Sequence, residues 1–256
     1  MSSLADSRTF LTTTIQSARP LLGTKSLTTG LTTAAILLFC WTITDYIAWI
    51  RLGTGGTPPT PLSYLQMSLL RLNQLLSSNN LRDASSFSSS GPSHLPSALP
   101  RRSGPAPASI GRTMPQRQRP SPLPPAIIAR THNLITALHA AHPSLLELAP
   151  SKTEGGSTAA IYARADLPTL NPVARHRILD REIAHVHRQE QSLHVWLSEA
   201  DAKEVVGKGW GQRFPMAEEV VPRGWTHVFA PRTEKECEVV KGIVKAGVAW
   251  VSGVEV

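Results

Sequence analysis

The chain reads as an α+β protein: a small antiparallel sheet with packed helices, preceded by a single N-terminal transmembrane helix and a disordered linker. Three observations carry that reading. Residues 31–50 run LTTAAILLFCWTITDYIAWI with one formal charge, Asp45. Between Asp83 and Glu147 there is no acid, whereas Arg101, Arg102, Arg112, Arg117, Arg119 and Arg130 all fall there among serines and prolines. Beyond residue 125, period-two apolar patterns mix with capped helical patterns, as in a single α+β layer fold.

Residues 1–30 form a basic tail rich in Ser and Thr, with Asp6 as its only acid. Residues 31–50 are long enough for a bilayer core of about 30 Å at about 1.5 Å per residue. Trp41, Tyr46 and Trp49 suit its interfaces, and Arg51 closes its far side. The rival reading is a buried core helix. Arg8, Arg19 and Lys25 precede the span, so the positive-inside rule favours a cytosolic N-terminus and an endomembrane location. The same tail composition also fits a mitochondrial presequence.

Residues 51–76 include a short amphipathic helix, with Leu65, Leu69, Leu72 and Leu76 on one stripe. Residues 77–125 have too little apolar area to offset their conformational entropy and read as a tether. The sequence pI of about 10.0 reflects the arginines of that linker, so no nucleic-acid partner is expected. Cys40 and Cys237 form neither a disulfide framework nor a zinc spacing.

The folded domain is expected over 126–256, a normal size for one core. Ile127, Thr131, Leu134, Ile135, Leu138 and Ala141 keep helical spacing up to His142-Pro143, with His132 and His139 on the solvated side. A strand covers 158–164. Ser198 caps a helix through Asp201, and Gly209 stops it; Thr233 caps a second through Glu236, which Gly247 ends. Strands are expected at 225–230 and 248–251.

The densest chemistry lies between these helices and strands. Arg181-Glu182-Ile183-Ala184-His185-Val186-His187 and Ser192-Leu193-His194-Val195-Trp196-Leu197 both alternate with period two. With a tight loop over 189–192, His187 faces His194 and His185 faces Trp196, all on one side of a hairpin. Ala184, Val186, Leu193, Val195 and Leu197 lie on the core side.

These residues also carry a resemblance. Arg-Glu-Ile-Ala-His-Val-His from Arg181, Leu-His-Val from Leu193, Ala-Lys-Glu-Val-Val from Ala202, Lys-Gly-Trp-Gly-Gln-Arg from Lys208 and Trp-Thr-His-Val-Phe-Ala-Pro-Arg from Trp225 resemble the luciferases of bioluminescent mushrooms and the wider luciferase-domain family. The resemblance is strong over about residues 181–253 and implies a luciferase-like fold behind an N-terminal membrane span. It further implies oxygenation of a hydroxypyrone or related enol. In the mushroom enzymes 3-hydroxyhispidin reacts with O2 without a known cofactor, an endoperoxide forms, carbon dioxide leaves, and caffeylpyruvate is released in an excited state. Light emission is not implied for this chain. Its loop after His187, Arg-Gln-Glu-Gln, lacks the histidine and aromatic residue of the mushroom enzymes and is one residue shorter, and Phe214 stands where they have a histidine.

Such chemistry asks for a base near neutrality, and His187 and His194, with His185 beside them, are the catalytic candidates. Arg213 is the candidate cation for the enolate oxygen, since its fork can grip two oxygens. Trp196 and Trp210 are expected to stack on a flat substrate and exclude water, with Gln212 completing the substrate-binding set. The duller readings place tryptophans, above all Trp225 and Trp250, in the core, and pair Arg213 with Glu218 on the surface; His227 and Arg232 carry less weight.

The expected partners are a small aromatic or pyrone-like molecule, O2, and the lipid bilayer around residues 31–50. No cofactor is expected. The mechanistic alternative is iron, zinc or copper on His185, His187 and His194, with Glu182 assigned to the opposite face. The alternative of another class is a non-catalytic binding module for a small planar ligand.

Overall fold

Six antiparallel strands in the order β1-β2-β3-β4-β6-β5 organise the chain in a computed structural model that describes residues 24–77, 79–96, 99–216 and 220–256. The strands are β1 (Leu146–Pro150), β2 (Ala159–Ala163), β3 (Glu182–Val186), β4 (Leu193–Trp196), β5 (Gly211–Arg213) and β6 (Trp225–Val228). The helices are α1 (Thr24–Leu52), α2 (Pro61–Leu76), α3 (Pro125–Ala141), α4 (Glu199–Gly207) and α5 (Glu234–Ser252). The α+β expectation holds. By internal contacts the chain divides into Met1–Ala48 and Trp49–Val256.

Ser26–Leu52, most of it in the first unit, is the one stretch among the described residues long and apolar enough to cross a membrane. Most of its side chains, including Leu31, Leu37, Phe39 and Trp41, are exposed. Residues 1–23 lie outside the described residues, and with them most of the expected basic tail.

In the second unit, α5 and α3 pack on one face of the sheet. Ala184, Val186, Leu193 and Val195 are buried there together with Val240, Ile243, Val244 and Val248 of α5. Thr233 caps α5 by accepting from the Glu236 amide, and Ser198 caps α4 by accepting from the Asp201 amide, as the sequence signals predict. The stop at Gly247 and the strand at 248–251 are overturned, because α5 runs on to Ser252. A Cβ on Gly247 would sit 2.8 Å from Val195 Cγ1 and 2.9 Å from the Trp196 carbonyl oxygen. Glycine there lets helix and sheet approach, and the left-handed residue that ends the helix is Gly253.

The hairpin keeps its expected faces in a different register. His185 lies opposite His194 and Ala184 opposite Val195. The His187 amide donates to the Ser192 carbonyl and the Gln191 amide to the His187 carbonyl, so the chain reverses over residues 188–191. The slip is two residues, an even number, so no side chain changes side.

The tether expected over 77–125 is irregular but docked. Phe87, Leu99, Arg102, Gln116, Arg117 and Gln118 are buried against the domain. Composition alone favours disorder, yet these side chains find partners that the linker lacks: Arg102 Nη2 donates to the Ala230 carbonyl, and Gln118 Oε1 accepts from the Ala230 amide. The compact unit therefore begins well before residue 126. Of α2, Ser63 and Tyr64 are buried while Leu65, Leu69, Leu72 and Leu76 are exposed.

Candidate functional site

Sheet register builds the site. Ala160, His185, His194, His227 and Gln212 lie directly opposite one another across β2, β3, β4, β6 and β5, in one row on one face. Alternation adds His187, the residue after β3, and Trp225 on β6 to the same side. The neighbouring row, Ile161, Ala184, Val195, Thr226 and Arg213, faces the other way. His227, given less weight from sequence, is thus central, and the place expected for Arg213 is lost by a single residue of alternation.

Three imidazole nitrogens converge. His185 Nε2 is 3.1 Å from His187 Nε2, which is 3.1 Å from His194 Nδ1, and His194 Nδ1 is 3.2 Å from His185 Nε2. Each ring is held from behind. His185 Nδ1–H donates to Glu182 Oε1 at 2.8 Å, and His194 Nε2–H to Gln116 Oε1 at 3.1 Å. His187 Nδ1–H donates to Ser192 Oγ at 2.7 Å, with Glu190 Oε1 at 3.0 Å. Ser192 Oγ also accepts from His227 Nε2 at 3.0 Å, while His227 Nδ1 is buried with no hydrogen-bond partner.

Glu182 reaches this cluster through a β-bulge. Ile161 pairs with Ala184 but Tyr162 pairs with Glu182, which leaves Ile183 as the extra residue on β3. Beyond the bulge the alternation inverts, so Glu182 shares the side of His185, contrary to the face expected from regular spacing. Its carboxylate accepts from the hydroxyls of Ser151, Thr153 and Tyr162 and from the Lys152 amide.

Two further residues reach the histidines from outside the hairpin. Glu154, in the β1–β2 loop, places Oε1 at 3.5 Å from His185 Nε2 and 3.7 Å from His187 Nε2. Arg117, from the docked segment, pairs with both oxygens of Glu154, donates to His187 Nε2 at 3.0 Å and lies 3.5 Å from Glu190. Neither was legible as a site residue, because nothing local in the sequence links positions 117, 154 and 187.

Burial and charge set the protonation pattern. Burial lowers His185, but hydrogen bonding and attraction from Glu154 and Glu182 outweigh it and raise the group to about 9. Burial, with Arg117 and the other imidazoles, holds His187 and His194 well below the ordinary value and His227 at about 3. Burial raises Glu154, but His185 and Arg117 reverse this and bring it to about 2. Burial dominates at Glu190 and lifts it to about 7.

A pocket of about 280 Å³ opens beside the cluster, with His185, His194 and Glu154 on one wall and Phe214, Met216, Val221 and Trp225 on another. His194 stacks on Trp225 with centroids 5.4 Å apart and meets Phe214 edge-on at 5.7 Å. A larger cleft of about 420 Å³ between α3 and α5 holds none of these residues.

The expected substrate-binding residues are scattered. Trp196 is buried opposite Trp225, with its ring edge-on to His176, and does not line the pocket. Trp210 is buried under Arg102, with Nε1–H donating to the Pro100 carbonyl. Gln212 ends the histidine row and hydrogen-bonds Ser109. Arg213 binds Asn79 and the Asn80 carbonyl; its expected partner Glu218 lies outside the described residues. The aromatic walls are instead Trp225 and Phe214.

Residues 180–247 match the family model described as a luciferase domain. The chain is 36% identical over 164 residues to a luciferase of Armillaria gallica, covering 60% of this chain and 61% of the relative. It is 37% identical over 166 residues to a luciferase of Armillaria ostoyae, with the same coverage of both. It is 36% identical over 165 residues to a luciferase of Neonothopanus nambi, again covering 60% of this chain and 61% of the relative. The match thus spans about 61% of the length of these relatives. No solved structure matches the chain. The matched region contributes all four clustered histidines, and over it the chain is similar to the luciferase domain of these fungal proteins.

Proposed function

We propose that the protein is a membrane-anchored, luciferase-like oxygenase acting with O2 on a hydroxypyrone or related enol. The observation that carries this reading is the pocket of about 280 Å³ whose wall is formed by His185 and His194. That volume is near the lower end of small-molecule sites, about 300 Å³. The flat ring packs against Trp225 and Phe214, and the apolar wall excludes water from oxygenated intermediates. The enol proton passes to the inward-facing nitrogen of His194, which burial keeps neutral, and this leaves an enolate. Both oxygen atoms of O2 then bond to carbons of the pyrone, and the resulting endoperoxide loses carbon dioxide.

Arg117 replaces Arg213 as the cation beside the reacting centre. The departures at the loop after His187 and at Phe214 favour a non-luminous reaction. Anchoring is assigned to residues 31–50, with an endomembrane favoured over the mitochondrion by the positive charges that precede the span.

The test is oxygen uptake by the detergent-solubilised full chain with a panel of hydroxypyrones and catechols. Stoichiometric oxygen uptake and carbon dioxide release are expected with at least one hydroxypyrone. Tight binding of these compounds with no oxygen uptake would instead establish the non-catalytic module.

A further inference from the structure

We propose that Glu154, His185, His187 and His194 bind a divalent first-row transition metal ion. One possible ligand atom from each lies within 4.8 Å of all the others, and all four residues are buried. Three independent features of the site lead to this assignment.

The first is the orientation of the lone pairs. The outer nitrogens of His185, His187 and His194 each donate a hydrogen to an acceptor fixed elsewhere. Glu182 is held by two hydroxyls, Ser192 Oγ donates onward to Glu190, and Gln116 Oε1 is oriented because its amide nitrogen donates to the Arg213 carbonyl at 2.9 Å. A neutral imidazole carries one such hydrogen, so the three inner nitrogens are lone-pair acceptors, and of them His187 Nε2 meets a donor, Arg117 Nη1 at 3.0 Å. Three lone pairs 3.1, 3.1 and 3.2 Å apart repel unless a cation lies among them.

The second is distance. Metal–nitrogen bonds of about 2.1 Å place neighbouring ligand nitrogens about 3.0 Å apart at right angles and about 3.4 Å apart at tetrahedral angles. The observed separations fall between these values. Glu154 Oε1, at 3.5 and 3.7 Å from two of the nitrogens, is close to a fourth corner.

The third is charge. Glu154, Glu182 and Glu190 are buried against the single guanidinium of Arg117, so the buried carboxylates outnumber the cation beside them. Uncompensated buried charge is strongly unfavourable, and a dication cancels it. Arg117 gives up its contact with His187 Nε2 and keeps its pairs with Glu154 and Glu190. Imidazole-rich sets with one carboxylate suit iron, zinc, copper, cobalt or nickel rather than magnesium or calcium. Ring nitrogens held by a carboxylate, an amide and a hydroxyl are also the usual outer support of metal-bound histidines. The proposal favours the metal alternative over cofactor-free chemistry, since a bound ion would take the inward nitrogen that otherwise accepts the enol proton and would itself hold the enolate oxygen; it is independent of the choice of substrate.

The competing occupant is a proton on His185, and the experiment separates the two. The full chain in detergent is stripped with a chelator and titrated with Co2+ as a spectroscopic probe. Parallel samples receive Fe2+, Zn2+ or Cu2+, and thermal unfolding is followed in each. One equivalent of Co2+ is expected to produce visible d–d absorption, and at least one ion is expected to raise Tm. Glu154→Gln and His194→Gln should each weaken Co2+ binding by at least tenfold. If either variant fails to fold, the wild-type titration alone decides. No Co2+ spectrum together with no shift in Tm by any ion overturns the proposal. A metal-binding protein that consumes no oxygen overturns the oxygenase reading and leaves the metal site standing; oxygen uptake by protein that binds no metal does the reverse.

Discussion

Glu182 and His185 are three residues apart on one strand, a spacing that points side chains to opposite faces, yet they share a hydrogen bond of 2.8 Å inside the core. The bulge at Ile183 makes this possible. It turns a carboxylate toward the imidazole it orients, so Glu182 is a positioning residue that acts through His185.

Glu182→Gln should therefore leave the fold intact and weaken metal binding by roughly 10- to 100-fold, the usual effect of losing an outer carboxylate. Calorimetric titration with Co2+ measures this. Unchanged affinity would mean that His185 is oriented by its packing alone.

Arg117→Met removes the guanidinium between Glu154 and Glu190 while keeping much of its volume. Removing one partner of a buried pair costs about 3–5 kcal/mol, and denaturant unfolding of metal-free protein should register a loss of that order. A change below about 0.5 kcal/mol, the ordinary range for surface substitutions, would show that the arginine segment is not docked in solution.

The contact of α5 with the sheet predicts two stability effects. Val195→Asp should abolish cooperative unfolding, since an unpaired carboxylate would lie where Val195 is fully buried. Gly247→Ala sets two terms against each other: alanine gains about 1 kcal/mol in a helix, whereas overpacking costs about 1–3 kcal/mol. With contacts of 2.8 and 2.9 Å waiting for the new Cβ, a net loss of Tm is expected. A rise in Tm would mean that the helix can slide away from β4.

Removing residues 1–48 should convert a protein that needs detergent into one that stays in the supernatant at high salt. The full chain should resist both salt and alkaline carbonate, and its release by carbonate alone would refute a spanning helix. The boundary is set by Trp49, which is 1% exposed and donates from Nε1 to the Met114 carbonyl. Deleting residues 1–60 removes that anchor as well and should cost about 3–5 kcal/mol, as truncation of a buried tryptophan does.

Local signals in the sequence were legible and distant ones were not. Ser198 and Thr233 announced two helix starts, and the alternation from Arg181 to Leu197 announced the hairpin and its histidine face. The run at 248–251 looked like a strand because β-branched residues favour strands, but it continues the helix α5, with Val248, Ala249 and Val251 buried. The bulge has no local mark, so the face of Glu182 was read the wrong way round. Glu154 and Arg117 were invisible for another reason. Their value comes from meeting His187 across 33 and 70 positions of chain, and each looks ordinary among its neighbours.

The docked segment has a consequence for any attempt to isolate the domain. Gln116 and Arg117 contact His194 and His187 directly, yet they precede α3 and the whole sheet. A fragment trimmed to begin at residue 126 would keep every strand and every histidine of the cluster. Nevertheless it would open the polar face to water, with His194 Nε2 stripped of Gln116 and both oxygens of Glu154 stripped of Arg117. Such a fragment could give a well-dispersed spectrum and still be inert, and its silence would report on where the chain was cut, not on what the intact protein can do.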